Sequence, residues 1–125
     1  MLRAFNRLLV HGGRTAFYTI HHAPGLTAWQ RRQASRAGPI AVASRRPHAE
    51  LLAAAGFVDI EEADLTVEFA ATTAAWIDGW DEHRAELTEL VGEAAFDERQ
   101  RDRTVGLRAV RRGLLRRSLF VAAKP

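Results

Sequence analysis

Apolar Leu2, Phe5, Leu8 and Leu9 recur at the spacing of one helical face, which predicts a short helix over Leu2 to Val10. His11-Gly12-Gly13 ends it, glycine being the usual residue just past a helix. Arg14 to Ile20 is rich in β-formers and reads as a strand buried on both faces or nearly so, closed by a His21-His22-Ala23-Pro24-Gly25 turn. Leu26 to Ser44 has no clear period; Thr27 can cap a short helix holding Trp29, and Ala37-Gly38-Pro39 would stop it. Pro47 to Ala55 is a helix with Leu51 and Leu52 on its core side and Gly56 past its end.

Phe57 to Ile60 opens a second strand. Val58 and Ile60 share one face, whereas Leu65, Val67 and Phe69 follow the opposite parity. A bulge near Glu61-Glu62, or a break into two short strands, would reconcile them. Thr72 or Thr73 is the expected cap of the next helix, along which Trp76, Trp80, His83, Leu87 and Leu90 draw a single stripe up to Gly92. A further helix over Glu93 to Gly113 carries Phe96, Leu107, Val110 and Leu114 on one face, interrupted by Gln100 and Arg103. Ser118 to Ala123 lacks polar alternation and reads as a central strand buried on both faces, its direction open.

The order helix, strand, helix, strand, helix pair, strand gives an α/β class, with the first two strands parallel. At 125 residues and 47% apolar composition the chain fits one domain spanning 1–125. Absence of cysteine removes disulfides, thiolate nucleophiles and Cys-built zinc sites, and fits a cytoplasmic protein. Net charge is +3, with Lys124 the sole lysine. Arg99, Arg101, Arg103, Arg108, Arg111, Arg112, Arg116 and Arg117 crowd one region, but Asp97, Glu98 and Asp102 interleave and no aromatics do. A solvated helix face is favoured over nucleic-acid binding. No apolar run approaches the ~20 residues that span a bilayer, and the N-terminus lacks the apolar core of a signal peptide, so no membrane partner is expected. Hydrolase and P-loop motifs are absent.

Three segments in order carry a resemblance. Phe5 to Phe17, centred on His11-Gly12-Gly13, resembles the Leu-x-Pro-Gly-Gly-x-Leu turn before strand five of class I S-adenosylmethionine-dependent methyltransferases, of the type 11 and 12 kind. His11 stands where proline is usual. Leu51 to Ile60 is similar to that family's Leu-Leu-x-x-Ala-Gly-Phe segment before strand six, and Leu119 to Pro125 to its seventh strand. The resemblance implies a partial Rossmann-like sheet: strands like five and six with an antiparallel seventh between them, and a C-terminal helical excursion. It covers the whole chain but only the back half of the family fold. The glycine loop after strand one and the acidic residue after strand two would need about 30 residues per βαβ unit, and fewer than half that number precede the first strand. Gly12-Gly13 precedes a strand, whereas a nucleotide-binding glycine loop follows one. No cofactor binding is therefore expected of this chain alone, and S-adenosylmethionine only with a complementary half.

His21 and His22 stand where open α/β sheets place ligands, and in the resembling enzymes the loop after strand five borders the acceptor. Either could take a proton from a nucleophile; the plainer alternative is a solvated turn. Adjacent strand residues face opposite ways, so the pair is not expected to share a metal. Tyr18, Trp76 and Trp80 are the candidate substrate-pocket residues, against the commoner use of such tryptophans in helix packing. Glu61, Glu62, Asp64 and Glu68 read as a solvated strand end. Two functions follow: methyl transfer to a small-molecule acceptor once a front half is supplied, or a non-catalytic module that dimerises or pairs with another chain through an exposed sheet edge.

Overall fold

The computed structural model describes residues 1–39 and 46–125. The end of the indistinct stretch, 40–44, lies outside the described residues. In chain order the elements are α1 (Leu2–Leu8), β1 (Arg14–His22), α2 (Ala28–Ala37), α3 (His48–Ala54), β2 (Val58–Asp64), α4 (Thr66–Glu82), α5 (Arg84–Val91), α6 (Glu93–Arg111) and β3 (Leu115–Ala123). The three strands form one sheet of order β1-β3-β2, with β3 antiparallel to both neighbours. β1 and β2 are thus parallel to each other, as the α/β pattern implied, and the last strand lies between the first two.

The turn into β1 needs its glycines. Gly12 has φ of +75°, and a side chain on Gly13 would meet the Val10 carbonyl at 2.8 Å. With that turn in place Gly12 donates to the Lys124 carbonyl and Lys124 to that of Gly13, which locks the start of β1 to the end of β3.

Two apolar clusters hold the layers. Leu52, Phe57, Phe120 and Ala122 are buried on one sheet face, with Leu2, Leu9, Phe17 and Ile60 packed against them, so α1 and α3 cover this face. On the other face Ala34, Ala109, Val110, Leu114 and Leu115 join Ile20 and Phe69, which brings α2, α4 and α6 together over the end of β1. Thr27 caps α2, accepting from the Gln30 amide while the Gln30 side chain accepts from Thr27.

Several expectations are corrected. β1 runs on through His21 and His22, so both lie in the strand rather than in a turn. It contains no fully buried residue, because its outer edge and part of one face have no covering element among the described residues. In β3 burial alternates: Ser118, Phe120 and Ala122 are buried while Leu119 and Val121 are half-buried. The bulge expected near Glu61-Glu62 is present as a register shift between Val58 and Glu61, where Asp59 takes φ of +49°. No strand forms over Leu65 to Phe69: Leu65 precedes α4, and Val67 and Phe69 are helical, so Thr72 and Thr73 sit inside that helix and cap nothing. The Trp76–Leu90 stripe is divided at His83, which separates α4 from α5.

Candidate functional site

Strand pairing places His21 opposite Arg116 and Thr19 opposite Ser118, while Glu62 and Asp64 of β2 lie opposite Phe120 and Ser118. Paired residues share a face, so His21, Ser118 and Glu62 meet on one side of the sheet. His21 Nε2 is 2.8 Å from the Ser118 hydroxyl, which in turn donates to Glu62 Oε1 at 2.8 Å. Nε2 and the carboxylate oxygen are 3.8 Å apart. His21 Nδ1 lies 3.0 Å from the His22 carbonyl. A carbonyl only accepts, so Nδ1 carries the proton of the neutral ring and Nε2 is the basic nitrogen.

Ser118 is 1% exposed. Its single proton cannot serve His21 and Glu62 at once. With a neutral ring the hydroxyl donates to Nε2. With a proton on Nε2 the hydroxyl turns to Glu62 and accepts from the ring. The Ser118 hydroxyl thus links Nε2 of His21 to a carboxylate 3.8 Å from it.

His48 of α3 stands beside this trio, its ring 5.9 Å from that of His21 and 5.5 Å from Phe120. Burial, and next the neighbouring His21, hold its pKa below the ordinary value, against an opposing pull from Glu62. His22 points to the opposite face, where Nε2 is 2.9 Å from the Ser35 hydroxyl of α2. Burial first, then the Arg31 guanidinium and His21, lower its pKa also. Asp64 is lowered as well, chiefly by the hydroxyl of Thr66 and then by its amide.

These two imidazoles set an expected pH response. Each protonates more readily in the unfolded chain than in the folded one, so the stability they contribute is complete above about pH 6.5. It is lost as pH falls through that value toward their folded pKa values. Urea midpoints should drop between about pH 7.5 and 5.5, and His48→Gln should flatten that slope; an unchanged slope in the variant contradicts the assignment.

A cavity of about 1190 Å³ opens beside the trio, bordered by His21, His22, His48, Glu62 and Phe120 and by a group of arginines. Among the other sequence candidates, Trp76 lines a separate cavity of about 860 Å³ with Ile20, Phe69 and Leu107. Trp80 packs 5.4 Å from Phe96, and the Arg103 guanidinium lies 4.0 Å over its ring. Tyr18 is 58% exposed, with Arg117 over its ring at 4.7 Å. The structure therefore brings His21 and His22 to one cavity and leaves Tyr18, Trp76 and Trp80 off its walls. Sequence reasoning missed Ser118, His48 and Ser35; Glu62 is exposed, as a solvated strand end should be, and also meets Ser118. The one available signal was a hydroxyl opening the apolar run of β3. Among the described residues no group of three or more His, Asp or Glu is placed to hold a metal, and no helix is long and apolar enough to cross a membrane.

No protein-family model matches the sequence, and no curated protein is similar to it at a significant level. Solved structures are similar in fold. Phosphoethanolamine N-methyltransferase 2 of Haemonchus contortus, in complex with phosphomonomethylethanolamine and S-adenosylhomocysteine, is 17% identical, with a TM-score of 0.80 over 99% of this chain and 29% of its own. The cyclopropane synthase MmaA2 of Mycobacterium tuberculosis is 20% identical, with a TM-score of 0.75 over 98% of this chain and 48% of its own. The mycolic acid cyclopropane synthase CmaA1, complexed with S-adenosylhomocysteine, is 18% identical, with a TM-score of 0.75 over 98% and 50%. The chain thus has the fold of the C-terminal part of methyltransferases, and spans half or less of the length of these three solved chains.

Proposed function

We propose that this chain is the acceptor-binding portion of an S-adenosylmethionine-dependent methyltransferase, with His21 as the group that takes the acceptor's proton. The observation that carries this reading is the His21–Ser118–Glu62 trio at the edge of a cavity, where an acceptor that displaces the Ser118 hydroxyl from Nε2 can give that nitrogen its proton, with Glu62 3.8 Å away. The likeness in fold to a phosphoethanolamine N-methyltransferase and to a cyclopropane synthase, each holding S-adenosylhomocysteine, supports S-adenosylmethionine-dependent transfer at a general level.

When bound, the donor supplies an electrophilic methyl group; what this chain contributes is acceptor orientation and proton removal. Its residues do not fit the donor itself. Guanidinium-rich cavity walls could meet the carboxylate of S-adenosylmethionine but oppose its sulfonium and ammonium cations. The close glycine turn, Gly12-Gly13, precedes β1 instead of following a strand and opening a helix.

Calorimetry of the chain alone with S-adenosylmethionine is accordingly expected to show no micromolar binding. Joined to the part of CmaA1 that it does not cover, the chain is expected to move a labelled methyl group from S-adenosylmethionine to a small nucleophile. A folded, donor-binding chimera that transfers nothing to amines, phenols or carboxylates sinks the proposal.

A second reading, a non-catalytic module that pairs through its sheet, has one observation in its favour. β1 is nine residues long and bonds only to β3, which leaves its outer edge unpaired among the described residues. Light scattering after size exclusion is then expected to give a mass well above 13.9 kDa. A clean monomer would dismiss pairing between copies.

A further inference from the structure

Proton removal does not account for the charge on the cavity walls beside His21. Arg31, Arg32, Arg36, Arg46 and Arg116 border this space, and Glu62 is the only carboxylate that does so among the described residues. Arg46 stands near Glu50. Arg31, Arg32, Arg36 and Arg116 have no carboxylate in ion-pair contact among the described residues. Three of them project from α2 and the fourth from the start of β3, so two unrelated elements converge on one space. Such a cluster repels itself in the absence of an anion, and the field of Arg31 already reaches His22.

The chemistry of these side chains narrows the ligand. A guanidinium presents a planar fork that matches an oxyanion in two hydrogen bonds. A phosphoryl group offers three terminal oxygens and up to two charges, and so can take several forks; a carboxylate offers two oxygens and one charge. The cluster surrounds a cavity rather than forming a flat stripe, and a volume of about 1190 Å³ accommodates a whole small molecule.

We propose that the cavity takes a small oxyanion, a phosphate monoester foremost, whose charged end is held by Arg31, Arg32, Arg36 and Arg116 while its nucleophile meets His21. Its role as methyl acceptor rests on the function proposed above; its binding does not.

The test uses the chain by itself and needs no donor. Imidazole proton resonances of His22 and His48 are followed by NMR during titration with inorganic phosphate, phenyl phosphate and acetate at constant ionic strength. Vesicles containing phosphatidylglycerol form a separate arm. Phenyl phosphate is expected to give saturable shifts with a higher affinity than acetate. The Arg32→Gln, Arg116→Gln double variant is expected to weaken it about tenfold or more. Both positions are exposed, so the fold should survive, as an unchanged backbone spectrum would confirm. Arg32→Lys, which keeps the charge and loses the fork, should weaken binding several-fold.

The proposal is overturned if phenyl phosphate gives no saturable shift, or if the double variant binds it equally well. Acetate binding as tightly as the phosphate ester overturns the choice of phosphate, and a response to vesicles alone overturns the choice of a small molecule. Saturable phosphate binding combined with a chimera inert toward phosphorylated nucleophiles would leave this site standing and remove methyl transfer.

Discussion

In the joined enzyme, His21→Gln is expected to lower kcat by about a hundredfold to ten-thousandfold while KM for the acceptor moves only a few-fold. Glutamine can still hydrogen-bond near Ser118 but cannot take up a proton. The charged walls that would hold the acceptor are separate from the ring, so binding should survive. Ser118→Ala removes the hydroxyl that turns between ring and carboxylate, and should cost less than loss of the base. His22→Gln is the informative control, because that ring faces Ser35 across the sheet from the trio. Steady-state rates with a labelled methyl donor decide the matter: a His21→Gln enzyme as fast as its parent would show that the proton leaves by another route.

Phe96→Ala is expected to destabilise the chain by about 3–5 kcal/mol. The side chain is fully buried. Its ring lies 5.4 Å from that of Trp80 in α4, and the Arg84 guanidinium of α5 sits 4.6 Å above it. One residue of α6 therefore ties three helices together. Arg84 also reaches Asp97 at 2.7 Å, but that pair is half-exposed and contributes ~1 kcal/mol at most. Truncation leaves a cavity that Trp80 and Arg84 cannot both fill. Urea unfolding measures the total, and hydrogen exchange should show α4 and α5 losing protection before the sheet does. A loss below ~1 kcal/mol would mean that these helices are anchored elsewhere.

Turn chemistry and β3 were the most legible parts of this sequence. Thr27, Gly56 and Gly92 punctuate as their local preferences dictate, since capping and positive φ depend on few neighbours. The run Ser118 to Ala123 implied a central strand, which β3 is, although its burial alternates instead of being complete on both faces. Local pattern misled where two periods coincide. Leu65, Val67 and Phe69 alternate like a strand but belong to the approach and first turn of α4. The Trp76–Leu90 stripe keeps its spacing across His83, so the break between α4 and α5 left no mark. The burial of β1 was overstated because Phe17, Tyr18 and Ile20 favour strands regardless of what covers them. Within the site His21 could be found from its place at a strand end. Its partners could not: Ser118 is 97 residues from His21 and 56 from Glu62, which lies between them in sequence, so only the register of the sheet unites them.

The position of β3 has a consequence for how the protein comes into being. Among the described strands it comes last, yet β1 and β2 join the sheet only through it. During synthesis helices can form, but within this three-stranded sheet neither β1 nor β2 has its partner until Leu115 and its successors arrive. The ladder that joins Arg14 to Ala123 then closes a long loop, so this sheet is expected to assemble slowly and to leave apolar strand segments uncovered in the interval.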